Sequence, residues 1–128
     1  ARNYTHALEQ VKKLKLTAPV YIILCGVEPN EGAVVELDRS AVHGMRFLNE
    51  SSWFLVQTNY DYSNPDPLHD NRRTAMEDRL IEMQQESFTE EKLFGLMTSE
   101  PNFNRITIQT IIYSPKLNLT NITLWPAQ

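Results

Sequence analysis

Apolar residues near the start of the chain recur at helical spacing. Ala7, Leu8, Val11, Leu14 and Leu16 fall on one stripe, with Thr5 placed to cap it. This predicts an amphipathic helix over residues 4–15, stopped ahead of Pro19. The period then changes. Val20-Tyr21-Ile22-Ile23-Leu24-Cys25 is continuous, apolar and largely β-branched, which predicts a strand buried on both faces. Pro29-Asn30-Glu31-Gly32 reads as a turn, and residues 33–37 return as the antiparallel partner. Residues 42–48 suit a short strand, and residues 52–59, through Trp53, Phe54, Leu55 and Val56, suit another.

The second half opens on a polar, irregular stretch at residues 60–71, punctuated by Pro65 and Pro67. Long polar loops of this kind are favoured places for function. A helix is expected over residues 72–85, with Ala75, Met76, Leu80, Ile81 and Met83 partly at core spacing. A second helix starts at Thr89, whose followers Glu90 and Glu91 suit the positive end of a helix dipole. Leu93, Phe94, Leu96 and Met97 supply its apolar face. Residues 105–113 alternate cleanly, as do residues 117–124 after Ser114-Pro115-Lys116, so the two read as a hairpin. The sum is an α+β chain of antiparallel strands with helices packed on one face, a single domain or part of a larger one.

Composition narrows the class. The 128 residues are 41% apolar, enough for a packed core, and no apolar run has the length of a membrane span. The net charge is −4, and the small cluster Lys12, Lys13 and Lys15 reads as a solvated helix face. A nucleic-acid partner would call for a basic surface, so none is expected. The single cysteine, Cys25, permits no intrachain disulfide and no cysteine-rich metal site, which alone suits a reducing compartment. The Asn-X-Ser/Thr sequons at Asn3, Asn49, Asn118 and Asn121 point the other way; the composition gives about one by chance. They mark a glycosylated protein of the secretory pathway, with coincidence as the competing account. The chain opens Ala1-Arg2-Asn3 with neither an initiator Met nor a leader, as expected of a processed or truncated piece.

Chemistry is sparse in the residues themselves. His6, His43 and His69 share no metal-ligand spacing, and neither a phosphate-binding glycine loop nor a nucleophile elbow is present, so no metal or cofactor is expected. His69-Asp70 has the composition of a base and its orienter, although sequence neighbours rarely aim at one target. Cys25, inside an apolar run, should have a raised thiol pKa and be inert. The best candidate site is Gln57-Thr58-Asn59-Tyr60-Asp61, at the end of an expected strand, followed by Arg72-Arg73-Thr74. Asn59 could donate its amide N–H to a developing oxyanion, and Arg72 could hold a carboxylate or stabilise a thiolate. An equally physical account makes Asn59 a turn residue and Arg72 a tie to Asp61, Asp66 or Asp70.

Five strings stand together in order along the chain: Leu16-Thr17-Ala18-Pro19-Val20-Tyr21-Ile22-Ile23-Leu24, the turn with Glu31-Gly32, Trp53-Phe54-Leu55-Val56-Gln57-Thr58-Asn59-Tyr60-Asp61, Asp70-Asn71-Arg72-Arg73-Thr74 and Ile106-Thr107-Ile108-Gln109-Thr110. Taken together, they resemble the acid ceramidase and N-acylethanolamine acid amidase family. The resemblance covers nearly the whole chain, and Val56-Gln57 with Ala18-Pro19 leans to the ceramidase side. It implies an N-terminal-nucleophile hydrolase built as an αββα sandwich and related to choloylglycine hydrolase, of which residues 1–128 would be the C-terminal portion of the larger subunit. A self-cleaving precursor would expose an N-terminal cysteine, whose thiolate attacks the amide carbonyl of an acylated amine with the free α-amine as base. The same resemblance implies that Asn59 is the oxyanion donor and Arg72 the arginine beside the nucleophile. It also implies N-glycosylation and a lysosomal or secreted location.

The departures limit what this chain does alone. Residue 1 is Ala rather than Cys, and the nucleophile segment has no counterpart. Cys25 stands where the family tends to have glycine, Asn71 replaces an Asp ahead of Arg72, and the family's C-terminal cysteine pair is absent. Two readings follow. Either the chain is part of an amidase that hydrolyses N-acylated lipids, ceramide or N-acylethanolamine, or it is a non-catalytic or lipid-binding relative that keeps the fold. The first requires a companion chain or upstream segment carrying the N-terminal cysteine, with membrane lipid contacted only through the complete enzyme. It also predicts poor autonomous folding, because strands that pair with a missing segment leave exposed edges.

Overall fold

The computed structural model describes residues 2–126, so Ala1 lies outside the described residues. The chain forms two compact units, one ending at Gln57 and the other beginning at Thr58. Among the described residues no helix is long and apolar enough to cross a membrane.

The first unit contains helix α1 (Tyr4–Val11) and strands β1 (Val20–Cys25), β2 (Gly32–Leu37) and β3 (Val42–Phe47). The strands form an antiparallel sheet in the order β1-β2-β3. α1 is shorter than its apolar spacing predicts. Lys13 and Leu14 donate to the carbonyls of Gln10 and Val11, three residues back, which tightens and ends the helix. The Leu16 amide then donates to Arg39, drawing the chain onto the sheet. The cap is Asn3, whose side chain accepts from the His6 amide at 2.8 Å; Thr5 lies inside the helix.

The expectation that β1 is buried on both faces is corrected. Among the described residues β1 pairs only with β2, so it is a sheet edge, and Ile23 is 67% exposed. The doubly buried strand is β2, where Val35 is 0% exposed. Strand order decides this: the middle strand is covered laterally by both neighbours whatever its apolarity. On one face Ala33, Val35 and Leu37 pack with Leu8 of α1, joined by Tyr4, Val11, Leu16, Ile22, Leu24 and Val42. On the other, Ile23, Val34 and Arg46 lie in register across the sheet.

Residues 52–59 do not form the predicted strand. Beyond an isolated bridge between Asn49 and Ser52 they join no ladder among the described residues. The Arg46 guanidinium bonds the Val56 carbonyl at 3.0 Å and the Gln57 Oε1 at 2.5 Å, so a side chain occupies an acceptor that a neighbouring strand would use. High β-propensity makes a strand only where a second backbone is available.

The second unit contains the irregular stretch at residues 60–71, helix α2 (Arg72–Met83), a single 3-10 turn, helix α3 (Glu90–Met97) and the hairpin β4 (Gln109–Ser114) and β5 (Leu119–Leu124). α2 buries Arg73, Met76 and Leu80; Ile81, expected on the core side, is exposed. Thr89 caps α3 by accepting from the Lys92 amide at 3.2 Å. α3 and β4 are joined through Trp125, whose indole stacks on Phe94, meets Phe103 edge-on and donates to Thr110 Oγ1 at 3.0 Å. β4 starts later than the alternation at residues 105–113 predicts. The Asn104 side chain accepts from the Ile106 amide, and the Asn104 amide donates to Thr107 Oγ1, which folds those residues into a local turn. Among the described residues the architecture is therefore α+β, with antiparallel sheets and three α-helices.

Candidate active site

The site begins at the start of α2. Its first residue, Arg72, turns its guanidinium onto Asp70: Nε lies 2.7 Å from Oδ1 and Nη2 lies 2.6 Å from Oδ2. The same Nη2 donates to Asn59 Oδ1 at 2.9 Å, across thirteen residues of chain. A guanidinium has donors only, so the atom Asn59 presents to Arg72 must be its carbonyl oxygen. The Asn59 Nδ2–H2 therefore faces away from Arg72 as the donor end of the amide. Asn59 itself is exposed, which leaves that end open to an approaching group.

Arg72 is thus a tie and a positioner at once. Of the three acids that sequence alone leaves open, Asp70 is its partner. Hydrogen bonds from the guanidinium hold the Asp70 carboxyl below its ordinary value, and the carboxylate raises Arg72 in return. The Asp70 side chain keeps 14% of its exposure and that of Arg72 keeps 29%, so water screens the pair and its net worth to folding is about 1 kcal/mol.

Arg73 plays a part that sequence reasoning missed. Its guanidinium is buried and faces the Asp66 carboxylate, Nε to Oδ1 at 3.1 Å, as an ion pair rather than an aligned hydrogen bond. It also donates to the carbonyls of Asp61, Tyr62 and Asn64, the last at 2.6 Å, and lies over the Tyr62 ring. One side chain therefore organises the loop that carries Asp70. Asp66 completes the arrangement. Its Oδ2 accepts from the Thr74 amide and hydroxyl, both at 2.8 Å, satisfying an α2 amide that the neighbouring Asn71 side chain does not reach. Nothing in the spacing of Asp66 from the helix distinguishes it from the other loop acids.

The remaining candidates fall elsewhere. His6 accepts from the Arg2 amide, and His69 meets the Tyr60 hydroxyl at 3.4 Å. Both oxygens of Asp70 are engaged by Arg72, so His69-Asp70 does not form a base and orienter. Among the described residues no group of three or more His, Cys, Asp or Glu could hold a metal. Cys25 is exposed, correcting the expectation that it is buried, although partial desolvation still raises its thiol pKa. All four sequon asparagines are exposed. Asn49 accepts from the Ser51 amide in a local turn, Asn118 takes a left-handed φ of 50° in the hairpin turn, and Asn121 lies on β5.

No family model matches the chain. Individual proteins do. Over 116 residues, 89% of this chain, it is 34% identical to an N-acylethanolamine-hydrolyzing acid amidase of Oryctolagus cuniculus, of which it covers 32%. It is 35% identical over 88% of its length to a probable acid ceramidase of Caenorhabditis elegans, covering 28% of that protein. Human acid ceramidase is 31% identical over 86% of the chain. The chain is homologous to the acid ceramidase and N-acylethanolamine acid amidase family. A solved structure of the Caenorhabditis elegans N-acylethanolamine-hydrolyzing acid amidase ortholog matches with a TM-score of 0.83 at 28% identity, over 96% of this chain and 55% of that one. The chain spans about a third of the length of the curated acid amidases and ceramidases it matches.

Proposed function

We propose that the chain is the C-terminal part of the larger subunit of an amidase that cleaves the amide bond of N-acylated lipids, ceramide or N-acylethanolamine. In this reading the chain contributes to an αββα sandwich, and a segment outside it supplies an N-terminal cysteine. The free α-amine of that cysteine takes the thiol proton, and the thiolate attacks the amide carbonyl, placing negative charge on the carbonyl oxygen. The Asn59 Nδ2–H donates to that oxyanion, where a preorganised donor acts on the transition state more than on the ground state. The C–N bond breaks, the amine leaves with a proton from the N-terminal α-amine, and an acyl-thioester remains. Water then attacks the thioester, returning the thiol and releasing the fatty acid. The steps use protein groups and water alone. The exposed sequons favour a glycoprotein of the lysosome or secretory pathway.

The observation that carries this reading is the 2.9 Å contact between Arg72 Nη2 and Asn59 Oδ1, which joins the two residues that the family resemblance pairs and turns the amide donor outward. The test is turnover of a fluorogenic N-acyl amine at acid pH by the complete protein. Asn59→Ala is expected to lower kcat by about 100-fold or more, the usual cost of removing an oxyanion donor, and Arg72→Ala to lower it with it. Normal turnover in both variants would sink these roles. A complete protein that binds N-acyl amines without cleaving them would favour the non-catalytic relative.

A further inference from the structure

We propose that Asp70 is a positioning residue that holds the Asn59 amide in its donating orientation by acting through Arg72; this rests on the amidase reading above. Both carboxylate oxygens of Asp70 go to Arg72, and among the described residues to no other side chain. The carboxylate engages Nε and Nη2, so the planar fork of the guanidinium has one orientation against it. Nη2 is also the nitrogen that holds Asn59 Oδ1. Fixing the fork therefore fixes the amide.

The Asp70 end is itself anchored. Its amide donates to the Pro67 carbonyl at 2.9 Å, and Oδ1 accepts from the Arg72 amide at 3.3 Å. The carboxylate is thus set against the first turn of α2, a rigid element, rather than left on a free loop. A role in closing the loop would be the plainer account, but that work is done by other groups. Arg73 gathers the carbonyls of Asp61, Tyr62 and Asn64, and Asp66 holds Thr74; neither uses Asp70. The same pair bears on the electrostatics of Arg72. Its charge is matched by a carboxylate of its own chain, so it serves by orientation and leaves the amide dipole of Asn59 to meet the oxyanion. Without Asp70 the long arginine side chain regains its rotamers, and the donor loses its fixed aim.

The experiment is a double-mutant cycle in the complete protein, reading kcat and KM for a fluorogenic N-acyl amine together with the melting temperature. Asp70→Asn keeps the shape and removes the charge. It is expected to lower kcat by about tenfold to a hundredfold with KM changed less than about twofold. In an Asn59→Ala background the same change is expected to lower kcat no further, because the group being aimed is gone. Asp70→Glu, which keeps both the charge and the two-oxygen acceptor, should recover most of the turnover and guards against a variant that merely folds badly. Full kcat in Asp70→Asn while Asn59→Ala is impaired overturns the proposal and leaves the amidase reading standing. Losses that multiply in the double variant overturn it as well, since a general structural defect acts independently of Asn59. Full kcat in Asn59→Ala overturns both.

Discussion

Arg72 and Arg73 are adjacent and chemically identical, yet the structure assigns them very different energetic weights. Truncating Arg73 to Ala strands Asp66, whose side chain keeps 8% of its exposure and whose counter-ion is 3.1 Å away. Breaking a buried ion pair from one side costs about 3–5 kcal/mol, because the remaining charge is left without compensation. Asp66 keeps the Thr74 amide and hydroxyl; of the three carbonyls that lose a donor, those of Tyr62 and Asn64 belong to exposed residues that can turn to water, and that of the half-buried Asp61 loses only a long bond of 3.4 Å. The loss therefore belongs at the low end, about 3 kcal/mol. Arg72→Ala breaks a water-screened pair and should cost about 1 kcal/mol or less. The assay is urea unfolding of the complete protein carrying each variant, with Asp66→Asn alone and combined with Arg73→Ala. The combination should cost well under the sum of its parts, because removing the carboxylate's charge relieves the stranding. An Arg73→Ala cost no greater than that of Arg72→Ala, or strict additivity with Asp66→Asn, would refute the account of Arg73 as the buried organiser of the loop.

Three further outcomes follow from the geometry. Leu37→Ala, in the doubly buried β2 at 2% exposure, should cost about 2–5 kcal/mol, whereas Ile23→Ala on the exposed edge strand should cost far less; equal losses in denaturation would restore β1 as the buried strand. The Asp70 carboxyl is held below its ordinary value of about 3.9, so its stabilising contribution is full above that pH and is lost as the pH falls through the depressed folded value. The stability gap between the parent and Asp70→Asn should therefore be level near pH 5 and shrink in strong acid; a gap that widens there would reverse the sign of the pair. Finally, β1 is an open edge with an exposed Ile23, and the hairpin exposes Ile111, Tyr113, Ile122 and Leu124, so residues 1–128 in isolation should melt broadly. A sharp two-state calorimetric transition of that isolated piece would contradict this.

Hydrophobic periodicity and turn chemistry were enough to place most elements. The apolar run of β1, the turn before β2, the Thr89 cap of α3 and the hairpin at the end all depend on residues close in sequence, and local chemistry decides them. Homology to the acid ceramidase and N-acylethanolamine acid amidase family was legible for the same reason, since its strings are ordered along the chain. What sequence could not decide was which strand lies in the middle of a sheet, because that depends on neighbours rather than on composition. It overrated residues 52–59 because propensity does not supply a pairing partner. It named Asn59 and Arg72 but left three acids for Arg72 and gave Arg73 no role. Only the tertiary structure brings Asn59 and Asp70 to one guanidinium and Asp66 to the next, because a side chain's partner is set by where the backbone returns in space.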